Sequence, residues 1–122
     1  MLVAALLVFL SMGSGAAPMA GAIDQMESRA QAVEVTEPVR KDILNVINRM
    51  KKTTQQYAKN DDENQKTIIE YFENEEHSGI DIEHQLDANY QQRIEYQNKM
   101  LALRFELKNK VNKQQWDEIV QP

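Results

Sequence analysis

The chain has no cysteine, only three prolines and four glycines, and a single tryptophan in 122 residues. Without cysteine there is no disulfide scaffold, no Cys-ligated zinc site and no dithiol redox motif. With so few helix breakers, a helical protein is expected. The glycines, Gly13, Gly15, Gly21 and Gly79, form no phosphate-cradling loop. Beyond residue 22 the serines are Ser28 and Ser78, and neither sits in a G-x-S-x-G elbow. Carboxylates are abundant, yet a long hairpin offers no concave pocket in which desolvation raises one pKa, so no catalytic set and no enzyme is expected. A net charge of -5 without a basic, aromatic-interleaved stripe disfavours nucleic acid.

Charge is also missing from the whole N-terminal stretch, where the first charged residue is Asp24. Leu2 to Leu10 is an apolar run, followed by small residues that end in Ala20-Gly21-Ala22, an A-x-A pattern suited to signal peptidase. Residues 1–22 therefore resemble a secretory signal peptide, although the usual positive n-region is lacking. The alternative is an uncleaved membrane anchor, which Gly13, Ser14, Gly15 and Pro18 make less apolar than a span of ~20 residues requires. Either way, residues 23–122 are expected outside the cytoplasm as an exported, periplasmic domain, membrane-bound only if the segment stays in place. ATP, NAD and cytosolic nucleic acid are then not expected partners.

What remains reads as helix. Ile23, Met26, Ala30 and Val33 recur at three and four, which predicts a short amphipathic helix over residues 24–34. Thr36 as N-cap, Glu37 and Pro38 start a second helix. Its stripe runs through Val39, Ile43, Val46, Ile47, Met50, Tyr57, Ile68, Ile69 and Phe72. The helix is expected to continue, less stably, through the polar Asn60 to Asn64. Around His77-Ser78-Gly79 the helix should end, with Gly79 in a left-handed C-cap conformation and Asp81 capping a third helix. That helix carries Leu86, Tyr90, Ile94, Gln97, Leu101, Phe105 and Lys108 three and four apart, widened by Met100 and Leu107. Asn112 and Gln115 form a capping box for a last short helix holding Trp116, Ile119 and Val120. The tryptophan should lock it onto the hairpin base. The expected fold is all-α, one long antiparallel hairpin with a short helix at each end, in one domain over residues 23–122. A chain this small and elongated buries a limited core, which favours a homodimer.

Charge is unevenly spread. Residues 61–87 hold ten acids against Lys66, a net of nine negative charges, while residues 24–60 and 88–122 are each net +2. The hairpin tip is acidic and its base mildly basic. A solvated face explains this, and a site for a cation or a basic partner is the sharper reading. Near the turn His77 and His84 stand among Glu73, Glu76, Asp81 and Glu83, donor types that suit zinc, nickel, copper or cobalt. The spacing matches no known ligand signature. His77, His84, Glu73, Glu76 and Asp81 are the candidate divalent-metal ligands; no other cofactor is expected. Met26, Met50 and Met100 fall on apolar stripes and read as core rather than copper ligands.

Val111-Asn112-Lys113-Gln114-Gln115 is a degenerate L-T-x-x-Q motif, with Val111 for Leu, Asn112 for the capping Thr and Gln115 for the closing Gln. Val35-Thr36 keeps the first two elements of another copy. In these segments and in its general layout the chain resembles the Spy and CpxP family of periplasmic helical proteins and their heavy-metal-sensing relatives. The resemblance implies a soluble envelope protein, often dimeric, that acts as a stress chaperone or senses or sequesters metal. The resulting expectation is a noncatalytic homodimer that binds a protein partner or unfolded clients along the hairpin. The alternative is a divalent-metal sensor using the His-containing turn.

Overall fold

The computed structural model describes residues 16–120, which form four helices: α1 (Ala16–Ala32), α2 (Glu37–Glu73), α3 (Gly79–Lys108) and α4 (Lys113–Val120). The fold is all-α. α2 and α3 are the arms of a long antiparallel hairpin, whose register is marked by three cross-arm pairs, Arg49 with Glu106, Thr54 with Tyr96 and Asn64 with Asn89, while Tyr71 on α2 stacks on His77 of the turn. At ~1.5 Å per residue, α2 alone is about 55 Å long. Of the expected export segment, residues 1–15 lie outside the described residues, and 16–22 form the first turns of α1. Among the described residues no helix is long and apolar enough to cross a membrane.

α1 starts well before the expected residue 24, because the run of alanines favours helix and Pro18 falls in the first turn, where its missing N–H costs nothing. Its stripe is as expected: Ile23, Ala30 and Val33 are buried and Met26 packs beside them. Its C-terminal carbonyls are held by Arg40. One guanidinium nitrogen donates to the Ala30 and Gln31 carbonyls, both at 2.7 Å, and the other to Val33 at 3.0 Å. A cation at the negative end of a helix is doubly favourable, as donor and as charge. α2 begins behind Thr36 with Pro38 in its first turn, though the Thr36 side chain makes no capping bond.

The base of the molecule is one apolar knot. Ile23, Ile43, Val46, Ile47, Leu107 and Ile119, drawn from all four helices, are the largest fully buried side chains among the described residues. Met50 is buried with them, and Met100, Leu103, Val111, Trp116 and Val120 pack around the cluster. The Asn112 box forms in full: Gln115 N–H donates to Asn112 Oδ1 at 2.8 Å and Asn112 N–H donates to Gln115 Oε1 at 3.0 Å. Trp116 seats α4 on the hairpin, with the Arg104 guanidinium 5.3 Å from its ring centre. Lys51 ties α2 to α1 through Asp24 at 3.3 Å and Glu27 at 3.8 Å.

Above the knot the seam turns polar. α2 runs unbroken through Asn60 to Asn64, and it buries Thr54, Tyr57 and Asp61 against α3. Tyr57 stacks on Tyr96 with ring centres 4.2 Å apart. Thr54 and Tyr96 share a 2.7 Å hydrogen bond between hydroxyls. Asn64 Nδ2 donates to Gln92 Oε1 at 2.5 Å and to Asn89 Oδ1 at 3.4 Å. These matched polar groups correct the expected face of α3. The helix turns Asn89, Tyr96 and Leu107 inward, with Met100 and Leu103, and leaves Tyr90, Leu101 and Phe105 exposed. Apolar residues lie on both sides of α3, so periodicity alone does not choose between them; the hydrogen-bonding needs of α2 do.

Candidate functional site

Two surfaces stand out, the turn at the hairpin tip and the apolar residues left uncovered on the arms. At the tip α2 ends at Glu73, and the Asn74 N–H donates to the Glu70 carbonyl at 3.0 Å. Asn74 then organises the turn, accepting from Glu76 N–H on Oδ1 at 2.9 Å and from His77 N–H on its carbonyl at 3.2 Å. Ser78, rather than Asp81, is the N-cap of α3. Its hydroxyl accepts from Asp81 N–H at 3.3 Å, and its own N–H donates to the Asp81 carboxylate at 3.0 Å. Gly79 is the first residue of α3, without the expected left-handed conformation. The physical reason is the reciprocal box: a serine with an acid three residues on satisfies two orphan donors, where a lone aspartate satisfies one.

Of the candidate metal ligands, the structure brings His77 and Asp81 together. His77 stacks on Tyr71, ring centres 3.9 Å apart, and its Nδ1 lies 3.7 Å from the Asp81 carboxylate, an ion pair when the ring is protonated. Asp81 is held below the usual carboxylate range by the Ser78 backbone N–H and hydroxyl, with His77 adding to the effect. Glu73, Glu76 and His84 are exposed. Among the described residues no group of three or more His, Asp or Glu side chains is arranged to hold a metal ion. His77 and Asp81 are thus brought together by the cap of α3, which already uses the Asp81 carboxylate.

Apolar exposure marks the tip more clearly. Phe72 is 71% exposed, Ile80 63% and Ile69 55%, all within the segment that carries nine net negative charges. A second set, Tyr90, Leu101 and Phe105, lies along the outer side of α3, with Ile94 between them half-buried. On one flank of the hairpin an open groove of about 400 Å³ runs past Lys52, Tyr57, Tyr96 and Lys99. Burial raises the Tyr96 phenol above its ordinary value, partly offset by the Thr54 hydrogen bond. Its proton is therefore held, and it serves as a structural hydroxyl.

Sequence reasoning missed Arg40, the Tyr71–His77 stack and the outward side of α3. A signal existed for the last of these: Leu86, Tyr90, Ile94, Leu101 and Phe105 fit one stripe while Tyr96, Met100, Leu103 and Leu107 fit another, and one arm of a hairpin covers only one. Comparison with protein-family models, curated proteins and solved structures yields no match to this chain.

Proposed function

We propose that this chain is an exported, noncatalytic helical protein that works as a homodimer by binding other protein chains, unfolded clients among them, on its hairpin. The observation that carries the reading is the set of exposed large apolar side chains at the acidic tip, Ile69, Phe72 and Ile80. Apolar side chains rimmed by charge of one sign suit a partner segment that is itself apolar and basic: burial of the apolar groups supplies affinity, and the field steers encounter and excludes acidic chains. The uncharged, small-residue end of residues 1–22 supports export. The resemblance to the Spy and CpxP proteins fits the same picture of an envelope chaperone.

The test is aggregation of a basic client and an acidic client, followed by light scattering with the full chain present. Suppression of the basic client, weakened by salt and lost in Phe72→Glu with helix content unchanged, is the expected result. No suppression of either client at several-fold molar excess contradicts the reading.

A further inference from the structure

The outer side of α3 carries complementary residues at matched distances from its centre. Tyr90 and Phe105, Ile94 and Leu101, and Asp87 and Lys108 are three pairs, each equidistant from the midpoint between Gln97 and Asn98. Successive members are spaced three, four or seven apart, so all six fall on one side of the helix, away from the Asn89, Tyr96 and Leu107 side that meets α2. In the protomer that side is uncovered, with Tyr90 58%, Phe105 51% and Leu101 48% exposed. From Asp87 to Lys108 the stripe runs about 30 Å.

We infer that this stripe is the homodimer surface, on which a second copy of the chain lays its own α3 antiparallel, with the twofold axis at Gln97 and Asn98. A twofold interface must be self-complementary, residue i meeting residue j and j meeting i. This one is. The axis sets Tyr90 against Phe105 of the second copy, Ile94 against its Leu101, and Asp87 against its Lys108, each contact occurring twice. Aromatic meets aromatic, aliphatic meets aliphatic, and the outer layers are ion pairs of opposite sign.

The charge distribution fixes the direction. A parallel pair sets the two acidic tips, each net -9 over residues 61–87, side by side. The antiparallel pair sets each tip beside the mildly basic base of the other copy, which holds Arg104, Lys108 and Lys110. Ile69 and Phe72 lie on α2, not on α3, and stay available at both ends of such a dimer. The inference rests on the homodimer of the reading above and adds its face, direction and register.

The absence of cysteine makes the test clean. Full-length Asp87→Cys and Lys108→Cys variants are treated with a short bis-maleimide, each alone and as an equal mixture. The expected result is a cross-linked dimer several-fold more abundant in the mixture than in either variant alone. Leu101→Glu, at a position half-exposed in the protomer, is expected to weaken dimerisation by about tenfold or more in sedimentation with unchanged helix content. Asp87→Lys weakens it, and adding Lys108→Asp restores it. Cross-linking of each variant with itself, or a dimer indifferent to both Leu101→Glu and the charge exchange, overturns the face and direction while the homodimer stands. A wild-type monomer at high concentration overturns both, and leaves client suppression as a separate readout.

Discussion

The two ends of the hairpin are made of the same two helices and held by different physics. At the base, α1 and α4 close over α2 and α3, and the six largest fully buried side chains among the described residues are found there. Toward the turn, among the described residues, only two helices remain, and their seam is made mostly of polar and aromatic side chains, Thr54, Tyr57, Asp61, Asn64, Asn89 and Tyr96, with Ile68 the one buried aliphatic residue. A two-helix layer offers only a narrow buried strip, and the distal seam fills it with hydrogen bonds and stacked rings in place of a wide apolar stripe. Hydrogen bonds of this kind contribute about 1 kcal/mol each, against about 1.5–3 kcal/mol for burying an Ile or Leu side chain. The base therefore carries the stability, and the distal half displays side chains that fold stability does not require to be covered.

The largest test of that contrast is a pair of identical substitutions. Ile47→Ala in the knot is expected to cost about 3–4 kcal/mol in denaturant unfolding, and Ile68→Ala in the distal seam less than half as much, although both are buried. Next is Arg40→Ala, which leaves the Ala30, Gln31 and Val33 carbonyls without their donor and detaches the end of α1. A loss of about 2 kcal/mol is expected from the same measurement. Equal costs for Ile47→Ala and Ile68→Ala break the comparison.

Tyr96→Phe is expected to cost about 1 kcal/mol by leaving the buried Thr54 hydroxyl with only the weak Met100 sulfur, at 3.8 Å, as a partner. Because burial raises the Tyr96 phenol, the folded state favours its neutral form. That stabilisation is complete below the unfolded value of about 10 and is lost as pH rises through the folded value. Thermal scans above pH 10 should show a loss that Tyr96→Phe lacks.

The helix caps sharpen the same comparison with matched chemistry. Asn112→Ala and Ser78→Ala each remove one capping box, worth about 1 kcal/mol. The first should lower global stability, because α4 belongs to the knot. The second should mainly speed hydrogen exchange near the turn. The smallest effect belongs to the exposed Arg49–Glu106 pair, where the Arg49 hydrogen bond lowers the Glu106 pKa. Its contribution is present above the ordinary carboxylate range and disappears as pH falls below it, and Glu106→Gln should remove that acid limb with little change at neutral pH.

Much of the fold was legible. Pro38 and the Asn112–Gln115 box announce two helix starts in local chemistry, and the buried stripes of α1 and lower α2 follow a single period. The face of α3 was not legible in the same way, because its choice depends on which polar groups of α2 need partners, a fact of tertiary pairing. The start of α1 was misplaced for a different reason: alanine-rich residues read as an export signal are also good helix formers. At the turn, His77 and Asp81 do meet, and Glu73, Glu76 and His84 are exposed around them. Proximity in sequence brings such groups to one end of the hairpin, and only the cap decides which carboxylate is already engaged.

The most direct measurement is native-state hydrogen exchange resolved along α2. Amides from Ile43 to Met50 should exchange only by global unfolding, while those from Asp61 to Phe72 exchange faster by orders of magnitude through local opening of the distal arm. Uniform protection from Ile43 to Phe72 would contradict the division of the hairpin into a stabilising base and a displaying tip.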